Sequence, residues 1–185
     1  MLRSTDGGGT WESTNLTNNT QSYWHAEHPS LLRTSDGTLH AIWQDTRGWL
    51  DNPSHVRTSR STDGGATWSP AVLVSDSVEL GVADNPYNGR TRPSLAVGDD
   101  GTLYAVWADD REGPTNSHDT KNYDIYLSRS TDGGQTWSTD ERVNGMPEVH
   151  EQSHAAIATG PGGALVVWND LRLDPYRRLL HRLIP

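Results

Sequence analysis

Three copies of Trp-x-Asp-x-Arg set a carboxylate and a guanidinium two residues apart. They are Trp43-Gln44-Asp45-Thr46-Arg47, Trp107-Ala108-Asp109-Asp110-Arg111 and Trp168-Asn169-Asp170-Leu171-Arg172. Such a pair can move a proton and grip an anion, or it can be an ion pair that a fold repeats. Its recurrence in every copy favours the structural reading. Arg92 differs. Counting back from the Trp of each copy puts His28 and Ser153 in its place, so the fold does not demand a guanidinium there and Arg92 can serve a ligand. His150-Glu151-Gln152-Ser153-His154 matches His-Glu-x-x-His, which binds zinc when a helix turns both imidazoles to one face. Here it leads into an apolar strand. Residues 150 and 154 of a strand share a face but stand too far apart to chelate, so a chance match is expected and no metal or other cofactor. His25, Glu27 and His28, beside Tyr23 and Trp24, instead read as a polar and aromatic rim suited to a sugar. With no Cys, a thiolate nucleophile is excluded.

The elements that must position these groups announce themselves by repetition. Ser-x-Asp-x-Gly-x-Thr-Trp occurs at Ser4–Trp11, Ser61–Trp68 and Ser130–Trp137. Ser and Asp side chains bond back to nearby backbone and hold a turn, and Gly allows positive φ. Trp then returns apolar surface to a sheet. The octapeptide is therefore a structural staple between two strands. Asp36-Gly37 and Asp100-Gly101 lie between apolar runs, which is a hairpin signal. One unit reads as four short strands: Ser94 to Val97, Leu103 to Trp107, Tyr123 to Ser130, and Trp137 to about Val143. Four antiparallel strands repeated in tandem make the blades of a β-propeller.

The expected fold is all-β, with about three blade-equivalents. Residues 1–15 form a half-blade, 28–74 and 92–143 whole blades, and 155–172 a second half-blade, followed by a tail over 173–185 outside the repeat. Propeller rings typically need four to eight blades. The chain is thus either a piece of a longer propeller or half of a six-bladed ring closed by a second copy, a homodimer whose hybrid blades join one start to the other end.

Bulk composition agrees with many short strands and turns. The chain has 185 residues, 18 Gly, 10 Pro, 8 Trp and no Phe. Six of the Trp fall in two repeat-equivalent sets. A net charge of −9 without a long basic run speaks against nucleic acid and anionic membrane as partners. The opening Met1-Leu2-Arg3-Ser4 does not read as a signal peptide and falls directly into a repeat.

From Ser4 to Arg172 these repeats resemble the Asp-box (BNR repeat) β-propellers of the sialidase family. Thr91-Arg92-Pro93-Ser94-Leu95, then Gly101-Thr102-Leu103 and Asp109-Asp110-Arg111, is similar to that family's Arg-Ile-Pro strand and the segment after it, without the Ile. The resemblance implies a glycan-acting protein, an exo-acting glycoside hydrolase, exported or held at the cell surface, with a carbohydrate ligand. It implies that Arg92 and Arg111 clamp a substrate carboxylate through parallel charge-assisted bonds. His28 and Arg47 stand at the corresponding places of the preceding blade. A loop aspartate is the family's acid/base; Asp119 is the first candidate and Asp110 the second. The family's third arginine, tyrosine nucleophile and glutamate come from later blades, so a non-catalytic carbohydrate- or protein-binding propeller, or an inactive fragment, is the competing expectation.

Overall fold

In the computed structural model the described residues are 1–17, 25–46, 54–76, 90–111, 123–145, 151–170 and 178–185. Among them every regular element is a strand, and every pairing is antiparallel. β1 (Leu2–Arg3) and β2 (Glu12–Ser13) form a short ribbon. The first blade contains β3 (His25–Arg33), β4 (Leu39–Thr46), β5 (His55–Ser61) and β6 (Val72–Leu73), in that order across the sheet. The second repeats the order with β7 (Arg90–Val97), β8 (Leu103–Asp109), β9 (Asp124–Ser130) and β10 (Glu141–Arg142). The third contains β11 (Gln152–Gly160), β12 (Gly163–Asp170) and β13 (Arg178–Ile184). The chain is an arc of propeller blades.

The segment set apart in sequence as a tail outside the repeat therefore holds a strand. β13 pairs with β12 from Ala164↔Ile184 to Asp170↔Arg178, so it takes the third-strand place. Ile184 is buried in the core, and the Arg182 guanidinium donates to the Val143 carbonyl 2.8 Å away on the second blade.

Period-two alternation explains how blades stack. Successive side chains of a strand point to opposite faces. On β8, Ala105 and Trp107 face the first blade and pack with Ile42, Val56 and Val74. Val106 and Ala108 face the third blade, with Ala155, Ala164, Val166, Trp168 and Ile184. The middle blade is thus covered on both faces: both central strands are buried along nearly their whole length, and β8 reads as a near-continuous apolar run. On β12 the alternation is one-sided, and Leu165, Leu179 and Leu183 of the third blade are exposed.

Each staple is closed by the same bonds. In the third copy the Ser130 hydroxyl donates to Asp132 at 2.8 Å and accepts from the Gly134 amide at 2.9 Å, while Asp132 accepts from the Thr136 amide at 3.0 Å. Ser4, Asp6, Gly8 and Thr10, and Ser61, Asp63, Gly65 and Thr67, repeat this pattern. Hydrogen bonds from Thr136, first from its hydroxyl and then its amide, hold the Asp132 carboxyl down at about 2, and their counterparts lower Asp6 and Asp63 as well. The two glycines that follow the aspartate of every staple have positive φ, as the turn requires. The arginine before each of the first two staples reaches onward. Arg3 donates to the Gly64 carbonyl at 3.0 Å and Arg60 to the Gly133 carbonyl at 3.3 Å, tying one blade's third strand to the next blade's staple.

Candidate functional site

At the other end of each blade the first strand carries a β-bulge. Regular pairing is broken between Glu27 and Ser30, between Thr91 and Ser94, and between Ser153 and Ala156. Each bulge opens with a non-glycine residue in the left-handed region: His28 at φ 51°, Arg92 at φ 56° and His154 at φ 55°. For an L-residue this costs about 1–2 kcal/mol. Pro29 and Pro93 follow two of them, and a following proline disfavours helical conformations still further. The bulge re-aims the side chain, and all three residues are exposed.

This geometry corrects one alignment made from sequence. The counterpart of Arg92 is His154, not Ser153. The hairpin of the third blade is one residue shorter, so His154 lies 14 residues before its Trp while His28 and Arg92 lie 15 before theirs. Counting back from Trp168 lands one place early. Aligning on the strand itself, His28-Pro29-Ser30-Leu31 with Arg92-Pro93-Ser94-Leu95 and His154-Ala155-Ala156-Ile157, would have found it. The His-Glu-x-x-His match is also settled in part: Gln152–Gly160 is a strand rather than a helix, with Gln152 buried and His154 exposed. His150 lies outside the described residues.

The proposed ligand-binding residues separate into two environments. Among the described residues Arg92 makes no hydrogen bond or ion pair, and its guanidinium belongs to an exposed side chain. His28 is exposed too, with Nδ1 3.0 Å from the Gln44 amide oxygen. Arg111 is turned inward. It bonds Asp109 at 2.5 Å and Asp140 at 2.6 Å, with its guanidinium 4.1 Å from the centre of the Tyr126 ring. Burial works against its charge, but the hydrogen bonds and charges of Asp109 and Asp140 outweigh it and hold the proton on. Asp110 is buried and already engaged within the protein. Asp119 and Arg47 lie outside the described residues, as does Arg172.

The Trp-x-Asp-x-Arg copies behave as structural pairs where they are described. Trp107 Nε1 donates to Asp109 and Trp168 Nε1 to Asp170, each at 3.1 Å. In the first blade Asp45 meets Arg57 of β5 at 3.0 Å. Around Arg111 the pairing extends between blades. The Asp140 amide donates to Asp76 at 2.8 Å and the Asp76 amide to Asp140 at 3.0 Å, a reciprocal clasp. Burial pushes the Asp140 carboxyl up to about 6; Arg111 opposes the rise and the Asp76 charge adds to it. Sequence reasoning passed over Asp140. Its signal was uniqueness: Ala71 holds the same offset in the preceding staple.

Comparison with known proteins supports this architecture. The BNR/Asp-box repeat model matches residues 59–70 and 128–139. A sialidase of Bacteroides fragilis is 30% identical over 156 residues, 75% of this chain and 28% of that protein. A sialidase of Micromonospora viridifaciens is 33% identical over 121 residues, 60% of this chain and 18% of that protein. The chain thus spans less than a third of the length of either relative. Among solved structures, the Hadza microbial sialidase Hz136 superposes with a TM-score of 0.64 at 21% identity, over 84% of this chain and 34% of that one. An α-L-arabinanase of Penicillium chrysogenum, complexed with arabinobiose, gives 0.60 at 22% identity, over 84% and 45%. The two structural likenesses establish a shared fold. The repeats and the sequence relatives agree, and the chain is a sialidase-like protein of the Asp-box (BNR repeat) family.

Proposed function

We propose that this chain forms part of the glycan-facing wall of an exo-acting, sialidase-like glycoside hydrolase propeller, with the bulge end of the blades toward the ligand. The observation that carries the reading is Arg92: exposed, unpaired among the described residues, and held in a left-handed backbone that the fold could have given to glycine. A guanidinium so placed offers its fork of donors to a sugar carboxylate. His28 stands at the equivalent place of the preceding blade. Arg111 supports them from behind by fixing the Asp109–Asp140 bridge. Asp119 remains the proposed acid/base. An exported or cell-surface parent protein fits a glycan substrate.

The test is turnover of fluorogenic sialoside and arabinofuranoside substrates by wild-type chain and Arg92→Ala, with intrinsic Trp fluorescence reporting the fold. Loss of turnover on a retained fold is the expected result. Full activity in the variant would remove Arg92 from the site.

A second reading, a carbohydrate-binding propeller without catalysis, is favoured by Asp110. That described candidate acid is buried and engaged rather than presented at the bulge end. Binding on a glycan array without turnover would select it. Closure by a second copy belongs to the same proposal, in a narrower form. β13 already fills the third-strand place, so a partner's contribution to that blade would be its β2, the fourth strand. Light scattering reads this directly, as a mass about twice the 20.4 kDa chain.

A further inference from the structure

At the hairpin and staple end, the clefts between adjacent blades are not alike. Between the second and third blades the cleft is small, about 200 Å³, with Tyr104 in its lining. The Thr159 hydroxyl donates to the Val97 carbonyl at 2.6 Å and ties those two blades. Between the first and second blades the cleft measures about 540 Å³. Strand register places His40 of β4 where β8 has Tyr104, and Val97 of β7 where β11 has Thr159. An imidazole is smaller than a phenol ring, and Val97 has no hydroxyl to offer the first blade. Both differences open the cleft to the size of pockets that hold small organic ligands.

The lining is polar and in part unsatisfied. His40 is 3% exposed, and among the described residues neither of its ring nitrogens has a hydrogen bond. Nδ1 is buried beside Gly134, which leaves Nε2 as the ring nitrogen with access to the cleft. Buried polar groups are nearly always paired, so an orphaned imidazole on a cavity wall points to a guest. Burial, and then the charge of Arg60, push this ring toward its neutral form, which offers one donor and one acceptor nitrogen. Arg60 spends one nitrogen on the Gly133 carbonyl at 3.3 Å and has further donors. Asp36 and Asp99 also line the cleft, and Val97 and Leu103 add apolar surface.

This mixture selects the ligand. Bonds from Thr34 and Thr38 hold the Asp36 carboxyl at about 2, so it stays ionised, and an anion would meet both carboxylates. Among the described residues no three His, Asp or Glu side chains gather to hold a metal ion. Sugar hydroxyls both donate and accept, and a sugar's C–H face covers aliphatic side chains.

We propose that this cleft is an accessory site for one neutral sugar residue. Asp99, with no partner of its own among the described residues, accepts from a sugar hydroxyl, as does Asp36. Arg60 donates to a ring or hydroxyl oxygen, His40 Nε2 pairs with a further hydroxyl, and Val97 and Leu103 carry the apolar face. Arg92 and Val97 lie five residues apart on β7, a separation on the order of 15 Å. The accessory site is therefore separate from the bulge end and independent of the role given to Arg92.

The experiment is an NMR titration of the whole chain, following the His40 ring and the Gly98 and Gly101 amides. Galactose, N-acetylglucosamine, arabinose and sodium sulfate are the probes. Wild type is compared with His40→Tyr, which copies Tyr104 into the cleft, and with Val97→Thr, which supplies the hydroxyl that ties the neighbouring cleft. Trp fluorescence reports the fold. At least one neutral sugar is expected to move these signals to saturation, and sulfate none of them. Each of the two variants is expected to weaken that sugar about tenfold or more, and Arg92→Ala to bind it as wild type does. If no neutral sugar moves the signals, or both cleft variants bind as tightly as wild type, the cleft is not a sugar site. A loss of binding in Arg92→Ala would put the sugar at the bulge end instead. Sulfate moving the signals as strongly as the sugar would overturn the ligand class.

Discussion

At the staple end of each blade, left-handed backbone is given to glycine, and the aspartate carboxylate is met by Ser and Thr bonds from its own loop. At the bulge end, left-handed backbone is given to His28, Arg92 and His154, whose side chains are exposed. Both ends belong to the same four-stranded sheets. One is relaxed and satisfied within itself. The other holds about 1–2 kcal/mol of conformational strain at each bulge. The contrast separates the end of the fold that closes on itself from the end proposed for substrate recognition. The core between blades tolerates the strain, and the staples lock the opposite end of each blade.

The most damaging way to break the comparison is to remove what both ends share. Trp107 is fully buried between the first and second blades and bonds Asp109. Trp107→Ala should cost about 3–5 kcal/mol in urea unfolding. A cost below about 1 kcal/mol would mean that the blades do not stabilise each other through this face. Smaller and more selective is Gly134→Ala. Its φ of +80° is strained for Ala, and a β-carbon would lie 3.4 Å from His40 Nδ1 and 3.5 Å from Leu103 Cδ1. About 1–2 kcal/mol of destabilisation is expected. Arg92→Gly should show the opposite sign, a gain of about 1 kcal/mol with loss of ligand binding. A loss of stability in Arg92→Gly would show that the bulge is not strained.

A pH series sharpens the contrast further. Asp132, held at about 2 by its Thr136 bonds, steadies its staple fully above about pH 4, and that contribution fades as pH falls through 2. Asp140 runs the other way. Its carboxyl is raised to about 6, so its contribution is complete below about pH 4 and is lost as pH rises through 6. Asp140→Asn should flatten the slope of stability between pH 4 and 7 and leave the acid limb below pH 4 in place. An unchanged slope would place the buried titration elsewhere.

The parts that sequence revealed are those made by near neighbours. The staple needs bonds over two to four residues, Ser130 to Asp132 and Asp132 to Thr136, so its spacing is written in the chain. The hairpins at Asp36-Gly37 and Asp100-Gly101 are equally local. β13 was hidden for the opposite reason. Arg178 to Ile184 shares no motif with β5 or β9 and becomes a strand by pairing with β12 and burying Ile184. Arg111 looked like a substrate ligand because its neighbours in sequence fit one. Asp140 lies 29 residues away, so the contact that turns the guanidinium inward could not be read from spacing. His154 was missed by one place, because a shortened hairpin slides the count without moving the bulge.

The arginine that precedes each staple gives the array a polarity. Arg3 reaches into the staple of the first blade and Arg60 into that of the second, always from the earlier blade to the later. Arg129, next in the series, pairs with Glu141 of its own blade instead. Coupling through the staples therefore has a direction, like roof tiles each pinned by the one laid before. Loosening an upstream blade withdraws a donor from its neighbour's turn, whereas loosening a downstream blade frees a side chain and leaves the upstream turn intact.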